Sequence, residues 1–166
     1  MIIADTGFWV ALFDPRDNHH QTVRAYALTI NEPLITTLPV VTEVCYLLQK
    51  RCNPLKAAIF LKAQQTAHLF SLFAINEAHL PRIVELMIQY ADLPIDLADA
   101  SLELLAEELG HGRIIFTDRR DLYSFPSSNL EAPASSLAKL ELRLRGSQAP
   151  AWEPEDFLYV SILLFK

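Results

Sequence analysis

The sequence predicts an α/β protein built on a parallel sheet, and three observations carry that prediction. Short apolar runs of strand length alternate with stretches of helical period over residues 1–126. Pro39, Pro54 and Asp96 stand where helices would begin, and Gly110 and Gly112 where one would end. Aspartates close the first and last of the apolar runs, at the strand ends where open α/β sheets gather functional groups.

The first strand is expected over residues 2–5, followed by an apolar stretch of helical length over residues 8–13. Residues 14–18 form a turn, from which Asp17 or Asn18 caps a helix reaching about residue 30. Residues 34–36 read as the second strand. Pro39 suits a first helical position, and Val40, Val41, Val44, Leu47 and Leu48 then recur at helical spacing. Pro54 opens a helix to about residue 67, and residues 69–75 form the third strand. A helix over residues 77–90 comes next. Pro94 breaks the chain, and Asp96 caps a helix whose Leu97, Ala100, Leu104 and Leu105 face inward. Residues 113–117 make the fourth strand, with a short helical turn after Asp118. Strands separated by helices call for right-handed crossovers.

The character changes at Pro126, where serines and prolines accumulate and the helical period fades. Residues 139–145 alternate apolar and polar, as a strand does. Residues 157–165 are apolar almost throughout, which suits a strand, a docked helix or an interface segment. The chain therefore divides into a unit over 1–126 and an extension over 127–166. The extension either supplies a last strand or is a tail acquired by cloning or a frameshift.

A chain of 166 residues with half its residues hydrophobic is long enough for one well-packed domain. No apolar run is long enough to span a bilayer and no leader pattern opens the chain, so a cytoplasmic protein without membrane contact is expected. Cys45 and Cys52 lie roughly 10 Å apart along one helix, too far for a disulfide. They read as buried, reduced thiols. The net charge of −6 argues against broad electrostatic binding of nucleic acid. It does not argue against a nuclease, whose carboxylates would be neutralised by metal before phosphate arrives.

Five acids carry that possibility: Asp5, Glu43, Asp99, Asp118 and Asp121. Asp5 and Asp118 end strands, while Glu43 and Asp99 fall in the first turns of helices, so one edge of a parallel sheet would collect them. Such a gathering needs a cation to offset it. Magnesium or manganese suits carboxylate oxygens, and a pair of ions would activate water and hold a scissile phosphate. Three of the acids also have a plain structural explanation: a turn aspartate for Asp5, a solvated helix face for Glu43, and a helix-dipole partner for Asp99. Asp121 is either a ligand for a second, weaker ion or a surface acid at a helix start. Asp96 reads as an N-cap. Thr6 and Thr117 are placed to hydrogen-bond the carboxylates from behind. Arg113, Arg119 and Arg120 make either a positive rim for substrate or ordinary surface. The five histidines show no paired spacing with the acids and read as structural or surface residues.

Four pieces occur together in order: Ile3-Ala4-Asp5-Thr6-Gly7, Thr42-Glu43, Asp96-Leu97-Ala98-Asp99-Ala100 and Thr117-Asp118-Arg119-Arg120-Asp121-Leu122. In these the chain resembles the PIN-domain nucleases, most closely the VapC-like toxins of toxin–antitoxin modules, over residues 1 to about 125. The resemblance implies a three-layer α/β/α sandwich, a divalent-metal site and cleavage of RNA. It also implies a cognate antitoxin and a homodimer. By position, Asp5, Glu43, Asp99 and Asp118 match the family's acidic quartet, with Asp121 the frequent fifth. Asp5, Asp99 and Asp118 would hold one Mg²⁺ or Mn²⁺, with Glu43 sharing it or acting through water. Phe8, Trp9, Leu12 and Phe13 would line a dimer or antitoxin groove if they were not core. The departure is the extension past Pro126.

Three other readings compete. A haloacid-dehalogenase-type magnesium phosphatase needs a second aspartate where this chain has Gly7. A receiver domain needs paired acids after its first strand and a later lysine, and neither is present. A catalytically silent PIN-like scaffold would be expected to have lost members of the quartet.

Overall fold

The computed structural model describes residues 1–92 and 95–117. In chain order these form β1 (Ile2–Ala4), α1 (Thr6–Phe13), α2 (His20–Ala27), β2 (Leu34–Thr37), α3 (Leu38–Arg51) and α4 (Pro54–Ala67). After them come β3 (Ser71–Phe73), a 3₁₀ turn (Glu77–His79), α5 (Leu80–Gln89), α6 (Leu97–Leu109) and β4 (Ile114–Ile115). The expected turn after Asp118, the strand over 139–145 and the apolar run over 157–165 lie outside the described residues.

All strand pairs are parallel, and the sheet order is β3-β2-β1-β4. Ile3 therefore faces Ile35 on one side and Ile114 on the other. A central strand is covered on both faces, which is why β1 is unbroken apolar sequence and fully buried. The chain steps from β1 to β2 to β3 in one direction, then returns to β4 on the far side of β1. Right-handed crossovers then put α1–α4 over one face and α5 and α6 over the other, the three-layer α/β/α arrangement. Contacts within each layer agree, α1 touching α2 and α3, α3 touching α4, and α5 touching α6, while α3 also touches α6.

Side-chain oxygens start most of the helices. Asp5, Thr37, Asn53 and Asp96 each accept a backbone N–H at an N-cap, and Pro39 and Pro54 follow such caps in the first turn. Gly110 ends α6 in the left-handed region at φ +68°, which costs a glycine little. The expected helix over 77–90 is divided. Asn76 and His79 close a capping box around the 3₁₀ turn, and Pro81 then starts α5 in its first turn. The expected third strand is also shorter than residues 69–75. Gln64 takes both backbone groups of Phe70, its Oε1 accepting the N–H at 3.0 Å and its Nε2 donating to the carbonyl at 2.8 Å. Phe70 is thereby withdrawn from the ladder, which begins at Ser71.

The main core packs Trp9 against Phe8, Phe60 and Phe70, with ring centroids 4.9 to 5.9 Å apart. Phe8, Trp9, Leu12 and Phe13 are all buried in it, so among these residues core packing displaces the groove expectation. A second cluster joins Ile83, Leu86 and Tyr90 to Ala100 and Leu104, so α6 is buried on two sides. Leu97 departs from expectation and stands 49% exposed. It is the first helical residue, and helical side chains lean toward the N-terminus, which carries Leu97 past the end of its packing partners. Cys45 and Cys52 are free, half-buried thiols. No helix among the described residues is long and apolar enough to cross a membrane.

Candidate active site at the switch between strands

Strand order reverses between β1 and β4, so the crevice at their carboxyl ends is a topological switch point, where open α/β sheets bind ligands. Asp5 sits there as the first residue past β1, and its N–H still reaches Ile115 O at 3.4 Å. Asp5 as a residue is 7% exposed. Oδ1 accepts from Thr6 N at 2.5 Å and Oδ2 from Gly7 N at 3.2 Å. Asp5 thus stands at the strand end and bonds the local amides: its side chain caps α1, and the positive end of that helix favours the charge.

Glu43 arrives from α3. It is half-buried, and its Oε2 accepts from Thr6 Oγ1 at 2.7 Å. Thr6 therefore stands between the two acids, its N–H on Asp5 and its hydroxyl on Glu43. Thr117, at the end of β4, lies over the first turn of α1, so close that a Cβ on Gly7 would collide with its Oγ1. Gly7 has its reason here: without a Cβ it leaves room for the Thr117 side chain beside Asp5. Asp99 opens α6, half-buried, in a reciprocal capping box. Asp96 Oδ1 accepts from Asp99 N at 3.0 Å, and Asp99 Oδ2 accepts from Asp96 N at 3.2 Å. Asp96 thus caps the helix as its sequence position suggested.

Asp118, Asp121, Arg119 and Arg120 lie outside the described residues. Arg113 does not belong to this edge. It precedes β4, and its guanidinium grips Glu32 at 2.9 and 2.7 Å, where the Met1 amino group also sits at 2.9 Å. The Arg113 guanidinium, helped by the amino terminus, holds the Glu32 carboxyl down at about 2. Glu32, Met1 and Arg113 all precede strands, so they lie at the amino edge, opposite Asp5.

The donors at the carboxyl edge are carboxylates and hydroxyls, the oxygen chemistry that magnesium and manganese take. Among the described residues no three His, Cys, Asp or Glu side chains converge tightly enough to hold a metal ion by themselves. Two of the histidines have structural work. His20 is buried with Nδ1 2.7 Å from Ala11 O, and His79 closes the capping box at Asn76. Burial pushes both thiols up, so neither offers a thiolate at neutral pH.

The sequence reading missed three buried hydroxyls behind the acids. Thr36 Oγ1 donates to Ala4 O at 2.9 Å, and Thr37 Oγ1 lies 2.6 Å from Ser101 Oγ, which also reaches Ala98 O at 2.6 Å. Thr37 carried a signal, since a threonine just before Leu38-Pro39 is an N-cap pattern. The other two carried none.

These features define an α/β protein with an acidic crevice at a strand-order switch. The model of the PIN domain family matches residues 2–126, and the chain belongs to that family. Among solved structures, the chain is similar in fold to VapC20 of Mycobacterium tuberculosis, described as a sarcin-ricin loop cleaving toxin. The TM-score is 0.67 at 18% identity, covering 76% of this chain and 97% of that one. No curated protein matches the sequence.

Proposed function

We propose that the protein is a divalent-metal-dependent endoribonuclease, the toxin of a type II toxin–antitoxin pair. The observation that carries the reading is the adjacency of Asp5 and Glu43. They are joined through Thr6 at the switch-point crevice of a PIN-family fold, with Asp99 opening a helix that packs against the one bearing Glu43. In this reading Asp5, Glu43, Asp99 and Asp118 hold Mg²⁺ or Mn²⁺, with Asp121 contributing to a second ion. A bound ion would polarise the phosphodiester and lower the pKa of the attacking water. The chain's own part is orientation. Thr6 fixes Glu43, the α1 amides fix Asp5, and Thr117 closes the crevice over Gly7. Arg119 and Arg120 are the proposed contacts for RNA phosphates. Residues 1–126 form the nuclease unit and 127–166 an extension. A cognate antitoxin, a homodimer and a cytoplasmic setting complete the proposal. The VapC20 likeness supports structured RNA as the first substrate to try.

The second reading is a silent scaffold. It is favoured by the cap duties of Asp5 and Asp99, which give both acids structural work. One experiment separates the two: incubation of a sarcin-ricin hairpin and unstructured RNAs with Mn²⁺ or Mg²⁺, comparing wild type, Asp5→Asn and an EDTA control. Asparagine caps helices as well as aspartate, so the variant keeps α1 while losing the charge. Metal-dependent cutting that Asp5→Asn abolishes is expected. Metal binding without cutting of any RNA would favour the scaffold.

A further inference from the structure

We infer that Thr36, Thr37 and Ser101 are positioning residues that set the separation of the three described acids. The inference rests on the metal-dependent reading above. All three hydroxyl residues are completely buried. Thr36 and Thr37 end β2, the strand beside β1, and neither touches solvent or has a role in the chemistry described so far.

The donors can be assigned by counting protons. Ser101 has one hydroxyl proton, and Ala98 O, at 2.6 Å, can only accept it. Thr37 must therefore donate to Ser101 Oγ at 2.6 Å. Its remaining capacity, as an acceptor, faces Val40 N at 3.5 Å. A directed relay results, from the first turn of α3 through two hydroxyls to a carbonyl in the first turn of α6. Each hydroxyl donates once and accepts once, and such chains strengthen cooperatively in a low-dielectric interior.

What the relay and its neighbour grip is specific. Ala98 O belongs to the peptide unit immediately before Asp99. Thr36 Oγ1 donates to Ala4 O at 2.9 Å, and that carbonyl belongs to the peptide unit immediately before Asp5. Val40, capped by Thr37, lies three residues before Glu43. Adjacent residues on one strand thus hold the backbone at β1, α3 and α6, the three elements that bear acids. A ligand carboxylate must be placed to within about 0.5 Å to act, and these bonds fix the peptides from which two of the three side chains spring. Ser101 and Thr37 are 64 residues apart in sequence, so the relay joins segments that only the fold brings together.

The test is calorimetric titration of Mn²⁺ into the full-length wild type, Ser101→Ala, Thr36→Val and Thr37→Ser, with urea denaturation of each. Ser101→Ala breaks the hydroxyl link between α3 and α6 but leaves the Thr37 cap and a good helix former in place. Thr36→Val keeps shape and removes one donor. Both are expected to raise the Mn²⁺ Kd about 10-fold or more, the usual effect of losing a group that orients a ligand. Thr37→Ser keeps the relay and should retain wild-type affinity. A purely structural role would lower the urea midpoint and leave Kd unmoved. Ser101→Ala and Thr36→Val folding with wild-type Kd would overturn the inference while leaving the metal site intact. Should Thr36→Val fail to fold, Ser101→Ala decides alone. Absence of Mn²⁺ binding by wild type would overturn the site reading, and this inference with it.

Discussion

The two edges of the sheet are fastened by different chemistry. At the amino edge, Glu32 is held by Arg113 and the Met1 amino group, all substantially exposed. At the carboxyl edge, Ala4 O, Ala98 O and Asp5 are held by neutral hydroxyls and amides, mostly out of solvent. Exposed ion pairs are screened and contribute little. A buried hydroxyl bond has little to gain when made and much to lose when one partner is left alone. The difference teaches where the chain tolerates looseness: the edge tied by charge can drift, and the edge that gathers acids cannot.

The largest break in that comparison should come from Gly7→Ala. Its methyl would meet Thr117 Oγ1 and force the Thr117 side chain out of its place over α1. Overpacking of this kind costs about 1–3 kcal/mol, and any nuclease activity should fall with it. Urea denaturation alongside RNA cleavage checks both. Wild-type stability in the variant would mean that Thr117 moves freely and does not close the crevice.

A smaller effect is expected at the other edge. Glu32 has its pKa lowered from 4.5 to about 2 by Arg113 and the amino terminus. Its folded-state pKa lies below its unfolded one, so its contribution is present above pH 4.5 and disappears as pH falls through about 2. Because the group is exposed, Glu32→Gln should shift the melting temperature only slightly at pH 7 and low salt. The shift should vanish in 1 M salt, which shortens the screening length to about 3 Å. Persistence at high salt would show that the amino edge is held by more than charge.

Glu103→Gln gives the smallest and opposite change. Burial in α6, then repulsion from Glu107, raises the Glu103 carboxyl above its usual range. The folded state therefore disfavours its charge. Removing that charge should stabilise the protein slightly at pH 7, with the gain fading as pH falls below the ordinary carboxylate range, where both states are protonated. A melting series from pH 4 to pH 8 tests the sign.

Much of this was legible along the chain because several local signals agreed. Ile2–Ala4 ends in Asp5-Thr6-Gly7, where apolar strand, cap and glycine all point to one turn. Pro54 behind Asn53 marks the start of α4 for the same reason. What was hidden depended on partners distant in sequence. Gln64 trims β3 through a side chain, and Ser101 finds Thr37 across the fold. Arg113 was misplaced by reading nearness in sequence as nearness in space. Four residues of extended chain span about 13 Å, enough to separate Arg113 at the amino edge from Thr117 at the other.

The Gln64 clamp on Phe70 also limits how the sheet can grow. By occupying both backbone groups of Phe70 it leaves a three-residue β3 as the outer strand of the described sheet. A visiting strand aligned there would find a template of only three residues. Any partner on this side gains little from pairing as one more strand, and side-chain shape then carries the recognition.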